Sequence, residues 1–384
     1  MADVDLEELA EYRRNRVLLD PYVDWAAGEG VPVIEDFAVD LLVAETKSWP
    51  RFGCDGAIVN LKGRGNYCSI FLLELRPGAK SAPQRHLYEE VFYVLSGHGS
   101  TTIEAANGRK HTFEWGPKSL FAIPLNARFQ HFNGSGAESA RLASTNNLCL
   151  MLNLYHSESF IFQNAASFAE REGADGFFSG EGELTPVRNN RMLWETNFVP
   201  DLGAFGLSRL ESRGAGSSNM LFVLADGSMG AHCSEMPVGT YKKAHRHGPG
   251  LHIFLVHGTG YSLLWYEGDK DFLRVDWRHG MTFAPPHHMF HQHFDTSQQP
   301  ARYLAVGFGS KRYPVVQLRR AGSEDNRSDL SIKKGGRQIE YEDQDPRIHG
   351  MWLAEIRKTG VGSKMDKYFS DDGAAQSLSS RGAE

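Results

Sequence analysis

The sequence predicts an all-β protein in which one β domain is written twice. Two observations predict it. From Asn66 onward, short apolar runs such as YCSIFLLELRPG, EVFYVLSGHGSTTIE and SLFAIPLNARF alternate with Gly, Pro and Asn, the rhythm of strands and tight turns. The second observation is an internal repeat. With an offset of 161, Glu74, Gly78, His86, Gly97 and Gly99 fall on Glu235, Gly239, His247, Gly258 and Gly260. After one inserted residue the offset is 162, and Trp115, Pro124, Gln130, His131 and Phe132 fall on Trp277, Pro286, Gln292, His293 and Phe294. Ala140 and Arg141 then meet Ala301 and Arg302 at 161 again. A register this long with so few gaps marks a tandem duplication.

The elements follow in order. Residues 1–60 read as a partly helical extension, its charged apolar stripe broken at Pro21. Residues 61–165 form the first β domain, 166–215 a Gly-rich charged connector, and 216–316 the second β domain. Residues 317–384 form a polar tail, with MWLAEIRK as a short amphipathic helix and SDDGAAQSLSSRGAE as a frayed end.

Composition narrows the function classes. A chain of 384 residues with 41% hydrophobic and 11% aromatic residues can build two cores, and its net charge of −6 argues against a nucleic-acid surface. No apolar run reaches the roughly 18 residues that span a bilayer, and the charged N-terminus lacks a secretory apolar core. Cys54, Cys68, Cys149 and Cys233 are scattered, which suits reduced thiols and a cytoplasmic protein and leaves metal binding to imidazole.

Nine of the 16 histidines lie between His245 and His293. The pairs His245/His247 and His291/His293 have the two-residue spacing that puts both side chains of a strand on one face, so each pair can converge on an interior point. Imidazoles from two strands suit Fe, Mn, Ni, Cu or Zn. The Gly-x-Gly at Gly97 and Gly258 lies in a β turn with no helix after it and is no nucleotide fingerprint. The repeated Arg141 and Arg302 suit either a carboxylate ligand or, more ordinarily, a structural ion pair.

These residues resemble the cupin superfamily, whose motifs are G-x5-H-x-H-x3,4-E-x6-G and G-x5-P-x-G-x2-H-x3-N. The second copy supplies Gly239, His245, His247 and Gly258, then Gly280, Pro286, His291 and Asp295, with His288 and Asp295 replacing the motif's Gly and Asn. The first copy supplies Gly78, His86, Glu90 and Gly97, then Pro124 and Asn133, but has Gln84 and Phe129 at two ligand slots. The resemblance implies a bicupin, two tandem double-stranded β-helix barrels with short helical extensions, and places the metal in the second barrel. The first barrel is then structural or pocket-forming, unless His131 replaces its missing ligand.

In the second barrel the resemblance implies His245, His247 and His291 as ligands. At the Glu slot, counting three residues past His247 gives Leu251 and counting four gives His252. Leu cannot ligate, so the site has three or four His, with a bulge at the preceding HGPG able to turn His252 inward as the fourth metal ligand. His293 has the parity to face the site as a catalytic acid/base or as a partner to a ligand. Trp265, Met281, Phe283 and Phe290 suit either the pocket walls or plain barrel core.

By resemblance to gentisate-dioxygenase-type bicupins, the expected function is a metal-dependent dioxygenase using O2 on a small aromatic or enolisable organic acid. One divalent metal is expected, Fe(II) first, with Mn, Ni or Zn as alternatives. The rival readings are a non-oxidative isomerase, lyase or hydrolase, and a non-catalytic ligand-binding bicupin, because the fold hosts all of these. A homo-oligomer is expected; nucleic acid and membrane are not.

Overall fold

The computed structural model describes residues 6–187, 190–248, 251–313 and 329–369. The frayed end expected from Ser370 onward and most of the polar loop before Asp329 lie outside them. Among the described residues, an eight-stranded and a three-stranded sheet are built mainly from the first half, and a nine-stranded and a five-stranded sheet mainly from the second, with one short strand of each half in the other's sheet. Each pair of sheets closes over a core, so the chain is all-β with two tandem double-stranded β-helix barrels. Nearly every strand pairing is antiparallel; Val33–Asp36 beside Cys54–Leu61 and Arg191–Thr196 beside Ser218–Leu224 are parallel and sit at matching places in the two halves.

The duplication is visible in the registers. Ser69–Leu75 pairs with Ala140–Asn146 so that Leu75 faces Ala140, and Met229–Met236 pairs with Ala301–Phe308 so that Met236 faces Ala301. The repeated glycines serve the same geometry twice. Gly97 and Gly258 take positive φ in a turn. A Cβ on Gly99 or Gly260 would lie 2.1 or 2.0 Å from the carbonyl of Phe132 or Phe294 and would strike the ring of Trp115 or Trp277.

The repeat also reaches further upstream than the β rhythm suggests. FAVDL at 37–41 lies 161 residues before FVPDL at 198–202. These two stretches change partners. Ala38–Asp40, from the first half, pairs with Met281–Phe283 of the second barrel, while Phe198–Val199 pairs with Leu120–Ala122 of the first. The barrels therefore exchange strands reciprocally. A shared apolar layer lies between them, in which Tyr93 and Ala122 of the first barrel pack with Phe254, Leu304 and Val306 of the second.

The repeated arginines tie down the same segments. Arg141 bonds Glu74 at 2.7 Å and donates to the carbonyls of Leu41 and Ala44. Arg302 bonds Glu235 at 2.8 Å and donates to Leu202 and Phe205. Both are structural ion pairs that hold an exchanged segment by its backbone.

The helices cap the barrels. Pro21–Gly28 is N-capped by Asp20 and buries Tyr22 and Trp25 against the first barrel. The tail helix Pro346–Thr359, capped by Asp345, buries Ile348, Trp352 and Ile356 beside Tyr241, Tyr261 and Phe294 of the second barrel. Among the described residues, no helix is long and apolar enough to cross a membrane.

Candidate metal centre

His245 ends the short strand Ala244–His245, held between Gln338–Ile339 of the tail and Phe290–Asp295. In that second pairing His245 lies directly opposite His291. Cross-strand partners share a face, so the two rings meet at a centroid distance of 4.3 Å. His247, two residues on, brings its ring to 4.7 Å from His291. One nitrogen from each of His245, His247 and His291 falls within 4.8 Å of the others.

The tautomers are set for ligation. His245 Nδ1 donates to the carbonyl of Lys243 at 3.2 Å and His291 Nδ1 to that of Met289 at 3.1 Å, so each Nε2 carries the lone pair. Burial, then Arg213 and the neighbouring imidazoles, holds His245 well below the usual imidazole range. Burial and the same neighbours do so for His247. For His291, burial is also the main cause, and it is lowered to about 4. All three rings are neutral at pH 7, the form that ligates. The donor set fits a divalent first-row metal with positions left open.

The structure does not bring His252 to this cluster. Leu251 lies at the place of the first barrel's Glu90, 161 residues away, and packs with the interior residues Ile253 and Leu255. His252 falls on the other face of strand His252–His257, the face that carries Phe254 and Val256 into the layer between the barrels. It is fully buried, neither ring nitrogen has a hydrogen-bond partner among the described residues, and burial lowers its pKa to about 3. Strand parity therefore puts it on the wrong side for the cluster.

His293 faces the cluster, with its ring 5.6 Å from that of His291. Its Nδ1 shares a 2.7 Å hydrogen bond with Ser262 Oγ, which also accepts from Trp277 Nε1 at 2.9 Å. The first barrel repeats this set: His131 Nδ1 with Thr101 Oγ1 at 2.7 Å, and Trp115 Nε1 to Thr101 at 2.9 Å. His293 thus belongs to a Trp–hydroxyl–His arrangement that both barrels carry.

Beside His245 and His247 opens a cavity of about 150 Å³. Trp265, Met281, Phe283 and Phe290 do not line it: Trp265 and Phe290 pack toward the tail helix, and Met281 and Phe283 lie in the interior core. Its walls are mixed instead: Leu210, Leu221, Phe222, Leu251 and Phe308 alternate with the polar Arg191, Arg213, Lys242, Lys311, His232, Asn219, Ser234 and Tyr303. No Asp or Glu appears among the described lining residues. Arg191 and Arg213 both reach Asp329, at 2.8 and 2.9 Å, just outside the cavity. Burial raises the Asp329 pKa, but Arg213 and Arg191 outweigh it and keep the carboxyl below its ordinary range.

In the first barrel the four matching slots are occupied by Gln84, His86, Glu90 and Phe129. His86 Nε2 meets Glu90 Oε1 at 2.9 Å, and Ser144 Oγ donates to Glu90 Oε2 at 2.6 Å. Tyr88 stacks on His86 at 3.5 Å, and Phe129 stands edge-on to it. Gln84 turns away to donate to the carbonyls of Arg51 and Ala82. His131 stays on Thr101 and burial lowers its pKa to about 3. These groups satisfy one another and leave no convergent ligand set.

Two like double-stranded β-helix barrels in tandem settle the architecture. The fold is that of a bicupin.

No family model matches this chain and no curated protein does. Solved structures do. A tryptophan-to-tyrosine variant of oxalate decarboxylase from Bacillus subtilis is 13% identical, with a TM-score of 0.47, over 72% of this chain and 78% of that one. A structure of the same enzyme, titled for the EPR parameters of its Mn(II) centres, is 15% identical with a TM-score of 0.46 over 73% and 78%. The enzyme at pH 4.6 is 14% identical with a TM-score of 0.45 over 72% and 77%.

Proposed function

We propose that this bicupin is a metal-dependent enzyme acting on a small organic acid, and specifically a dioxygenase that holds Fe(II) on His245, His247 and His291. The observation that carries the reading is the junction of three neutral, converging imidazoles with a cavity walled by cations and, among the described residues, by no carboxylate. Bound there, a ferrous ion supplies a Lewis-acidic centre with open positions for substrate oxygens and for O2.

The chain's own residues do the rest. The carbonyls of Lys243 and Met289 fix the ring orientation of His245 and His291. Leu251, standing where the first barrel has a carboxylate, leaves the positive charge of the site undiminished and presents an apolar wall to the substrate. Arg213, Arg191 and Lys242 draw an anion into a site sheltered from bulk water, where each charge acts over a longer range. In this reading His252 is a core residue and His293 belongs to the Trp–hydroxyl–His arrangement that both barrels carry.

The experiment is oxygen uptake by protein loaded with Fe(II), Mn(II) or Zn(II) and offered a panel of enolisable and aromatic acids. O2 consumption with the ferrous form alone, lost in His291→Ala together with the metal, is expected. Equal turnover without O2 would sink the dioxygenase and leave a non-oxidative lyase or isomerase in its place.

A further inference from the structure

The two barrels differ at matched positions in a way that metal binding alone does not require. The backbone identifies the matches. Ala82 donates to the carbonyl of Phe52, and Lys243 to that of Arg213; Ser81 donates to His131, and Lys242 to His293. Phe52 and Arg213 are therefore equivalent, as are Ser81 and Lys242. By the strand registers, Phe71 is equivalent to His232, Leu73 to Ser234 and Leu142 to Tyr303. Phe52, Phe71, Leu73 and Leu142 are core of the first barrel. In the second barrel all five places carry a polar side chain, and all five line the cavity.

We propose that Lys242, with Arg213 and Arg191 beside it, forms a second anion subsite in this cavity, so that the substrate is a dianionic acid. One of its acidic groups goes to the His245, His247 and His291 centre and the other to the cations. The inference rests on the metal-centre reading and adds the substrate class to it.

Charge supports it. Lys242 is 2% exposed, its ammonium lies 5.1 Å from the Tyr303 ring, and no carboxylate or other hydrogen-bond partner meets it among the described residues. A buried cation without a counter-charge is costly, and a carboxylate beside it offsets that cost. Arg191 and Arg213 both reach Asp329, which holds the two guanidinium groups in place beside the cavity. Burial, then Arg213 and Arg191, lowers the Lys242 pKa to about 7, as expected for an ammonium whose counter-anion has still to arrive.

The test is calorimetric binding of succinate and of acetate to Zn(II)-loaded protein, with metal content measured on the same samples. Lys242→Ser, the residue of the first barrel, is expected to weaken succinate about ten-fold or more and acetate less than about three-fold, at unchanged metal content. Lys242→Arg, which keeps the charge, is expected to restore succinate. Unaltered succinate binding in Lys242→Ser, or an equal loss for both acids, overturns the subsite while the metal centre stands. If the wild-type chain takes up no Zn(II) yet binds succinate through Lys242, the metal reading falls and the subsite stands.

Discussion

The first and second barrels share a scaffold and differ in what fills it. Both keep the Arg–Glu pair that ties down the exchanged strand, the glycine beneath the tryptophan, and the Trp–hydroxyl–His arrangement. They part around the histidine cluster, where Gln84, Glu90 and Phe129 stand against His245, Leu251 and His291. The first has a hydrogen-bonded His86–Glu90–Ser144 set closed over by Tyr88 and Phe129. The second has three imidazoles with free lone pairs and a cavity beside them. A feature common to both barrels therefore reads as architecture, and one confined to the second reads as function.

The largest effect should come from carrying one first-barrel residue across. His291→Phe, which installs the counterpart Phe129, is expected to remove essentially all bound metal while the melting temperature of the metal-free protein stays within a few degrees. Elemental analysis and calorimetry check it. Full metal content in that variant would mean that the site lies elsewhere.

A smaller effect concerns Asp295, whose counterpart is Asn133. Asn133 Nδ2 donates to the carbonyls of Leu75, Arg76 and Glu138, which a carboxylate cannot do. Asp295 accepts from Ser297 through Oδ1 and leaves Oδ2 buried without a partner, and burial raises its pKa to about 7. The sign follows. Between about pH 4 and 7 the unfolded chain releases this proton before the folded one, so the folded state loses stability as pH rises. Asp295→Asn should stabilise the protein by about 2 kcal/mol above pH 7 and by almost nothing below pH 4. Denaturant unfolding at the two pH values measures it, and a gain independent of pH would refute the assignment.

The smallest expected contrast is between His131→Ala and His293→Ala. If the Trp–hydroxyl–His arrangement is architectural, each loses a similar amount, about 1–2 kcal/mol, from the lost hydrogen bond between hydroxyl and imidazole. Metal content should not change in either. A His293→Ala protein with native stability and full metal but no turnover would instead restore His293 as an acid/base.

Much of this was legible in the residues. The repeat register alone aligned His245, His247 and His291 against Gln84, His86 and Phe129, because motif spacing survives duplication. The ambiguity between Leu251 and His252 was not resolvable there, since a one-residue slip reverses the face of every following side chain and the preceding HGPG allows either count. The exchanged FAVDL and FVPDL stretches were missed, although the same offset finds them. The cavity walls were missed for a different reason. Arg191, Arg213, His232, Lys242 and Tyr303 come from separate strands and loops, and only closure of the barrel gathers them. Asking where apolar core in one copy becomes polar in the other was the signal available.

The reciprocal strand exchange has a consequence for how this chain came to be and how it can be cut. Two separate single-barrel subunits trading the same segment across a two-fold axis would make this pattern, so the fused chain preserves the form of a swapped homodimer inside one polypeptide. Within the one chain, the half without the three converging imidazoles lends an edge strand to the half that has them. Neither barrel is then an autonomous unit: a fragment beginning at the second β region would arrive without Ala38–Asp40, and the strand Met281–Phe283 would stand open to the next molecule.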